Sequence, residues 1–151
     1  MPHVLETLED AIAVAVATTP TAGGTVYRWR AAPWPKGITG TNIKNTLDEL
    51  QGMSRGSGNH EFRVASYELE TKTQATTSSG AIETCRDALA EITAAIFATP
   101  RLGLAPGVLR VWLQSVDLEV EAEGESHVGT CSALWQVEYR IAESDPTLFL
   151  T

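Results

Sequence analysis

Gly52-Met53-Ser54-Arg55-Gly56 has the G-x-S-x-G spacing of a nucleophile elbow. That motif works because a strand delivers the serine to a sharp turn and a helix carries the chain away, leaving Oγ exposed. The flanks here read differently. Residues 45–51 do not read as a strand, and Ser57-Gly58-Asn59 cannot open a helix. Ser54 therefore reads as part of a flexible glycine loop, and a small serine hydrolase using Ser54 stands only as a rival of another class. His3, His60 and His127 lie far apart and share no H-x-x-x-H or Cys/His spacing, so no metal site is expected. Gly37-Ile38-Thr39-Gly40-Thr41 lacks the Lys-Ser/Thr of a phosphate loop. No catalytic residue and no cofactor follows from these motifs.

The acidic residues invite a second reading. Asp117, Glu119, Glu121, Glu123 and Glu125 alternate along one stretch. Carboxylates that share acid–base work need unlike environments to separate their pKa values. An alternating row on one strand has like environments, so it reads as a solvated face. Its functional counterpart is a negative surface that holds another polyanion off. The chain carries 19 acidic against 11 basic residues, a net charge of −8, and its Lys and Arg are scattered. Tight binding to a phosphate backbone needs them clustered, so DNA is not expected as a bound ligand. Trp29 and Trp34 with Arg28, Arg30 and Lys36 could stack bases. Trp and Arg are also the residues enriched at protein interfaces, and that reading is preferred. Cys85 and Cys131 fall on apolar stripes and read as small buried hydrophobes, not as a disulfide.

These residues need a scaffold. A chain of 151 residues, 43% of them hydrophobic, is the size of one domain and can bury a core. No apolar run is long enough to span a bilayer. The start, Met1 to Thr19, carries Glu6, Glu9 and Asp10 and lacks a basic leader, so synthesis in the host cytoplasm is expected. Leu5, Leu8, Ile12 and Val16 predict an amphipathic helix over 3–18, with the acidic side chains pointing away. Thr25 to Arg30 predicts a short strand. Residues 31–59, rich in Pro and Gly, read as a long irregular excursion with one helical turn at Asn45 to Leu50. Such excursions commonly order against a partner.

Glu61 to Thr73 predicts a strand with a bulge near Ala65-Ser66. Ile82, Cys85, Leu89, Ile92 and Ile96 predict a helix over 80–98, capped by Ser78 or Ser79. The last third predicts a hairpin turning at Gly124-Glu125 in the type II′ manner. Pairing Glu123 with Ser126 sets Leu118 against Cys131, Val116 against Ala133 and Trp112 against Val137 on one face. Asp117 then meets Ser132 and Glu119 meets Thr130 on the other. The fold class predicted is α+β: a mostly antiparallel sheet of four to five strands, helices packed on one face, and a long C-terminal β-hairpin.

The run His60-Glu61-Phe62-Arg63-Val64, the helix Ala81 to Phe97, the Pro100-Arg101-Leu102 break and the closing Ala133-Leu134-Trp135-Gln136-Val137-Glu138-Tyr139-Arg140 resemble the tail terminator proteins of long-tailed bacteriophages and gene transfer agents. The Gly-rich stretch 52–58 departs from that pattern. The resemblance implies a structural, non-enzymatic virion protein at the head-proximal end of the tail. Its copies would form a hexameric ring that caps the tail tube, stops its polymerisation and offers a docking surface to a neck or head-closure protein. A neck or head-closure joining subunit is the alternative. On this reading Arg28, Trp29, Trp34, Lys36, Ile38, Leu47, Asp48 and Arg55 are candidate interface residues. Asp117, Glu119 and Glu121 would line a channel past which DNA slides without sticking, and no membrane is involved.

Overall fold

A computed structural model describes residues 2–31, 34, 37–54, 59–142 and 145–149. The first helix, α1, runs Val4–Ala17 and buries Val4, Leu8, Ile12 and Val16, the predicted stripe. His3 Nδ1 accepts from the Leu5 amide at 3.1 Å and so satisfies one of the helix's orphan donors. At the other end the Thr18 and Thr19 hydroxyls turn back onto the Ala15 and Val16 carbonyls, each at 2.7 Å. The second helix, α2, runs Ser78–Ala98 and buries Ala81, Cys85, Ala88, Ile92 and Ile96. Its cap is Thr77, whose hydroxyl accepts from Gly80 N at 3.0 Å, and not Ser78 or Ser79. Thr77 alone takes the extended backbone that an N-cap requires.

Six strands form the sheet: β1 (Val26–Arg28), β2 (Gly40–Ser54), β3 (His60–Ala75), β4 (Val108–Glu123), β5 (Ser126–Ala142) and β6 (Asp145–Phe149). Their order is β1-β2-β3-β5-β4, with β6 beside the far end of β5. Only β1 and β2 are parallel. Cys131, Ala133, Trp135, Val137, Tyr139 and Ile141 of β5 point to one face, where they meet Tyr67 and Leu69 of β3 and the helices in a single core. The alternate positions make an open face.

Three expectations need correction. Residues 40–54 are a strand, not part of an irregular excursion, and no helical turn forms at Asn45 to Leu50. Register shifts between Asn45 and Leu47 and between Leu50 and Gly52 each add a residue, so the period-2 signal is lost. Ile43, Leu47 and Leu50 then sit at i, i+4 and i+7, which imitates a helix. The bulge expected at Ala65-Ser66 lies across the ladder in β2, and β3 pairs with β5 without a shift. Phe62 and Val64 simply occupy the open face. Trp112 lies opposite Gln136, not Val137, because β4 is bulged between Leu113 and Ser115. Below that bulge the hairpin register is as expected, from Val116↔Ala133 to Glu123↔Ser126, and Gly124 takes φ 63°. The strand β6 has no counterpart in the sequence reading.

The first turn of α2 presses on β5 at Gly129. A Cβ there would stand 2.7 Å from Ala81 O, 2.8 Å from Cys85 Sγ and 2.9 Å from Thr73 Oγ1. The two side chains can turn aside, but the carbonyl cannot. Gly129→Ala is therefore expected to destabilise the fold by about 1–2 kcal/mol through overpacking, read as a lower urea midpoint at unchanged slope.

Candidate subunit interface

The side chains that could bind a partner gather around β1. Glu9 on α1 was expected to face solvent, but it is only 6% exposed. It stands one residue past Leu8 and four past Leu5, at the border of the apolar stripe, where β1 closes over it. Its carboxylate accepts from Arg28 Nε at 2.7 Å and from Trp29 Nε1 at 2.9 Å. The Arg28 guanidinium also pairs with Asp10 at 2.6 Å. The hydrogen bond to Glu9 is the main reason that Arg28 holds its proton more tightly than an ordinary arginine.

Trp29 has φ 58°, a left-handed conformation that costs a bulky residue about 1–2 kcal/mol. Its backbone N–H is bonded to Ile43 O at 2.9 Å and its indole N–H to Glu9, while the side chain stays 55% exposed. The ring is thus fastened at one edge and offered to solvent. Next to it, buried Asn42 clamps Arg30 from both sides, accepting from its N–H at 3.1 Å and donating to its carbonyl at 3.0 Å.

Trp34 belongs to the other face of the sheet. It meets the Tyr27 ring edge-on at 5.1 Å, donates to Glu70 Oε1 at 3.3 Å, and has Lys72 over its ring at 5.8 Å. Ile38 is half-buried. Lys36 and Arg55 lie outside the described residues, and nothing is said of the Ser54 side chain. Ser54 itself ends β2, which pairs antiparallel with β3, so the strand–turn–helix of a nucleophile elbow is not formed there.

Neighbouring positions Leu47 and Asp48 point opposite ways. Leu47 lies 49% exposed on the open face. Asp48 turns to the helix side, where it accepts from Arg63 Nε at 3.0 Å and from the Tyr139 hydroxyl at 2.7 Å. Arg63 also donates to Glu61 at 2.8 Å. Leu50 and Met53, unremarked as surface residues in the sequence, are likewise exposed. Their apolar character was visible; their exposure depends on which elements cover β2.

Asp117, Glu119 and Glu121 are all exposed on the open face, across from Ser132, Thr130 and Val128. Cys85 and Cys131 are buried free thiols. Burial pushes Cys131 up to about 11 and Cys85 upward too, which keeps both protonated and poorly nucleophilic. Between α1, α2 and the Leu102–Leu104 segment lies an open apolar groove of about 550 Å³, with exposed Val14 on its rim. Among the described residues no group of three or more His, Cys, Asp or Glu could hold a metal ion, and no helix is long and apolar enough to cross a membrane.

No family model matches this chain, and no curated protein matches it. Among solved structures it is similar to a chain from the virion of a native gene transfer agent particle. The two are 19% identical, the match covers 90% of this chain and 92% of that one, and the TM-score is 0.48.

Proposed function

We propose that this chain is a structural virion subunit, a tail terminator whose copies assemble into a hexameric ring on the end of the tail tube. The ring halts tube growth and presents a surface to the neck or head-closure protein at the head-proximal end. The observation that carries this reading is Trp29. A strained backbone and a buried carboxylate together hold an indole ring outward. Pre-orienting an aromatic side chain lowers the ordering cost of binding, and such rings dominate contact energies. Exposed Leu47, Leu50 and Met53 supply apolar area on β2 nearby in the sequence. Asp117, Glu119 and Glu121 give the open face a negative stretch suited to passing DNA without holding it.

The test is assembly. Purified protein should form a ring of defined mass in mass photometry and should cap tube ends in electron micrographs. Trp29→Ala and Trp34→Ala should each raise the concentration at which rings form by about tenfold or more, the loss of roughly 1.4 kcal/mol per contact. Trp29→Ala should do so without lowering thermal stability, because its ring contributes little to the core. A chain that stays monomeric and ignores tube ends would refute the proposal.

A further inference from the structure

The sheet has two open edges, and they match each other. On one side, β1 covers β2 only over Thr41–Ile43, so the outer edge of β2 from Lys44 to Ser54 has no strand beside it. On the other side, β4 pairs only with β5, so its outer edge is open along Val108–Glu123. Unpaired edges of this length are templates for another strand, which proteins blunt with bulges and charges. Both edges here carry bulges and charges, at corresponding places.

The registers link the two edges row by row. Glu49 pairs with Val64, Val64 with Glu138 and Glu138 with Arg110, so Glu49 and Arg110 end one row of the open face. Leu47, Ser66, Gln136 and Trp112 form the next row. Lys44, Glu68, Leu134 and Ser115 form another. Each row therefore ends in complementary groups: a carboxylate and a guanidinium, then an exposed leucine and a tryptophan. Among the described residues neither Glu49 nor Arg110 takes part in an ion pair within the subunit. Arg110 stacks over its own Trp112 ring at 4.7 Å, which lines both along the edge.

We propose that copies of this chain join edge to edge, β4 of one pairing antiparallel with β2 of the next, with Arg110 against Glu49 and Trp112 against Leu47. The direction follows from the ladder. β2, β3, β5 and β4 alternate in sense, so β4 is antiparallel to β2, and a second copy in the same orientation presents the correct edge. The bulges agree as well. Two residues separate Leu47 from Lys44, including the extra residue of β2, and two separate Trp112 from Ser115, including the extra residue of β4. The faces therefore stay matched on both sides of the irregularity.

Sliding the strands destroys the fit. One way sets Arg110 against Leu47, and the other sets Trp112 against Glu49. The pairing ends at Lys44 and Ser115, because β1 fills the edge beyond, and the bulge of β4 lies where that strand must bend away. A contact that uses two different edges repeats from copy to copy, and a rotation at each step closes it into a ring. The inference rests on the reading that the chain self-assembles, and it adds which surfaces meet.

Two sets of variants test it. In Lys44→Cys/Ser115→Cys, oxidation should link neighbouring copies into a ladder on denaturing gels. Leu47→Cys/Ser115→Cys, out of register, should give none, and the native thiols are buried. Glu49→Arg alone and Arg110→Glu alone should each raise the assembly concentration about tenfold or more, and the double variant should restore it. That restoration also shows that the single variants fold. Rings that form without the cross-link and ignore both charge reversals would overturn the edge pairing and leave the ring intact. A chain monomeric at every concentration, with and without tube ends, would sink the pairing and the assembly reading together.

Discussion

Trp135→Ala is expected to destabilise the protein by about 3–5 kcal/mol, the range for removing a large aromatic side chain from a packed core. The residue is fully buried at the centre of β5. It pairs with Tyr67 on β3 and Leu113 on β4 and meets the Phe97 ring of α2 at 5.6 Å, so one side chain joins three strands' worth of sheet to the second helix. Collapse around the cavity is hindered because its lining is held by strands on both sides. The loss should appear as a drop in melting temperature of roughly 10 °C or more, given about 2–4 °C per kcal/mol at this size. Trp135→Phe is expected to cost much less. The indole Nε1 has no hydrogen-bond partner among the described residues, so removing it offsets part of the lost packing. Equal losses for the two variants would show that the N–H does matter.

Glu9→Ala is expected to cost about 2 kcal/mol and to impair assembly as much as Trp29→Ala does. A charge-assisted hydrogen bond contributes roughly 1.5–3 kcal/mol, and Glu9 makes one to Arg28 and one to Trp29. The total is discounted because the Arg28 side chain is 39% exposed and can rehydrate beside Asp10. Without the carboxylate nothing on α1 holds the indole, and the left-handed residue is free to relax. Glu9→Gln keeps one oxygen for Trp29 and should recover assembly better than it recovers stability. Urea unfolding gives the first quantity and mass photometry the second. If Glu9→Ala assembles like the parent chain, orientation of Trp29 is not what drives the contact.

How much of this could be read from the sequence depended on how local each signal was. Both helices were legible, because a 3.6-residue stripe such as Ile82, Cys85, Leu89, Ile92 and Ile96 is complete within one segment. The hairpin below the bulge was legible for the same reason: one glycine turn and two uninterrupted alternations agree on a register. The strand β2 was not. Its two bulges shift parity twice, and no local rule separates a bulged strand from a loop with apolar residues. Trp112 fell to the wrong side of its sheet through the single extra residue in β4, since one inserted residue exchanges the faces of everything beyond it.

The candidate interface divides along the same line. Residue types alone marked Trp29, Trp34, Arg28 and Leu47 as suited to contact, and composition alone argued against DNA as a bound ligand. Which of them face outward was decided by tertiary structure. Glu9 is buried because β1 folds onto α1 from about twenty residues away, and Asp48 turns inward because Tyr139 and Arg63 are brought to it across the sheet. The match between the edges of β2 and β4 is furthest from any local signal. It exists only once four strands are laid side by side, because a register is a relation between segments that no single segment contains.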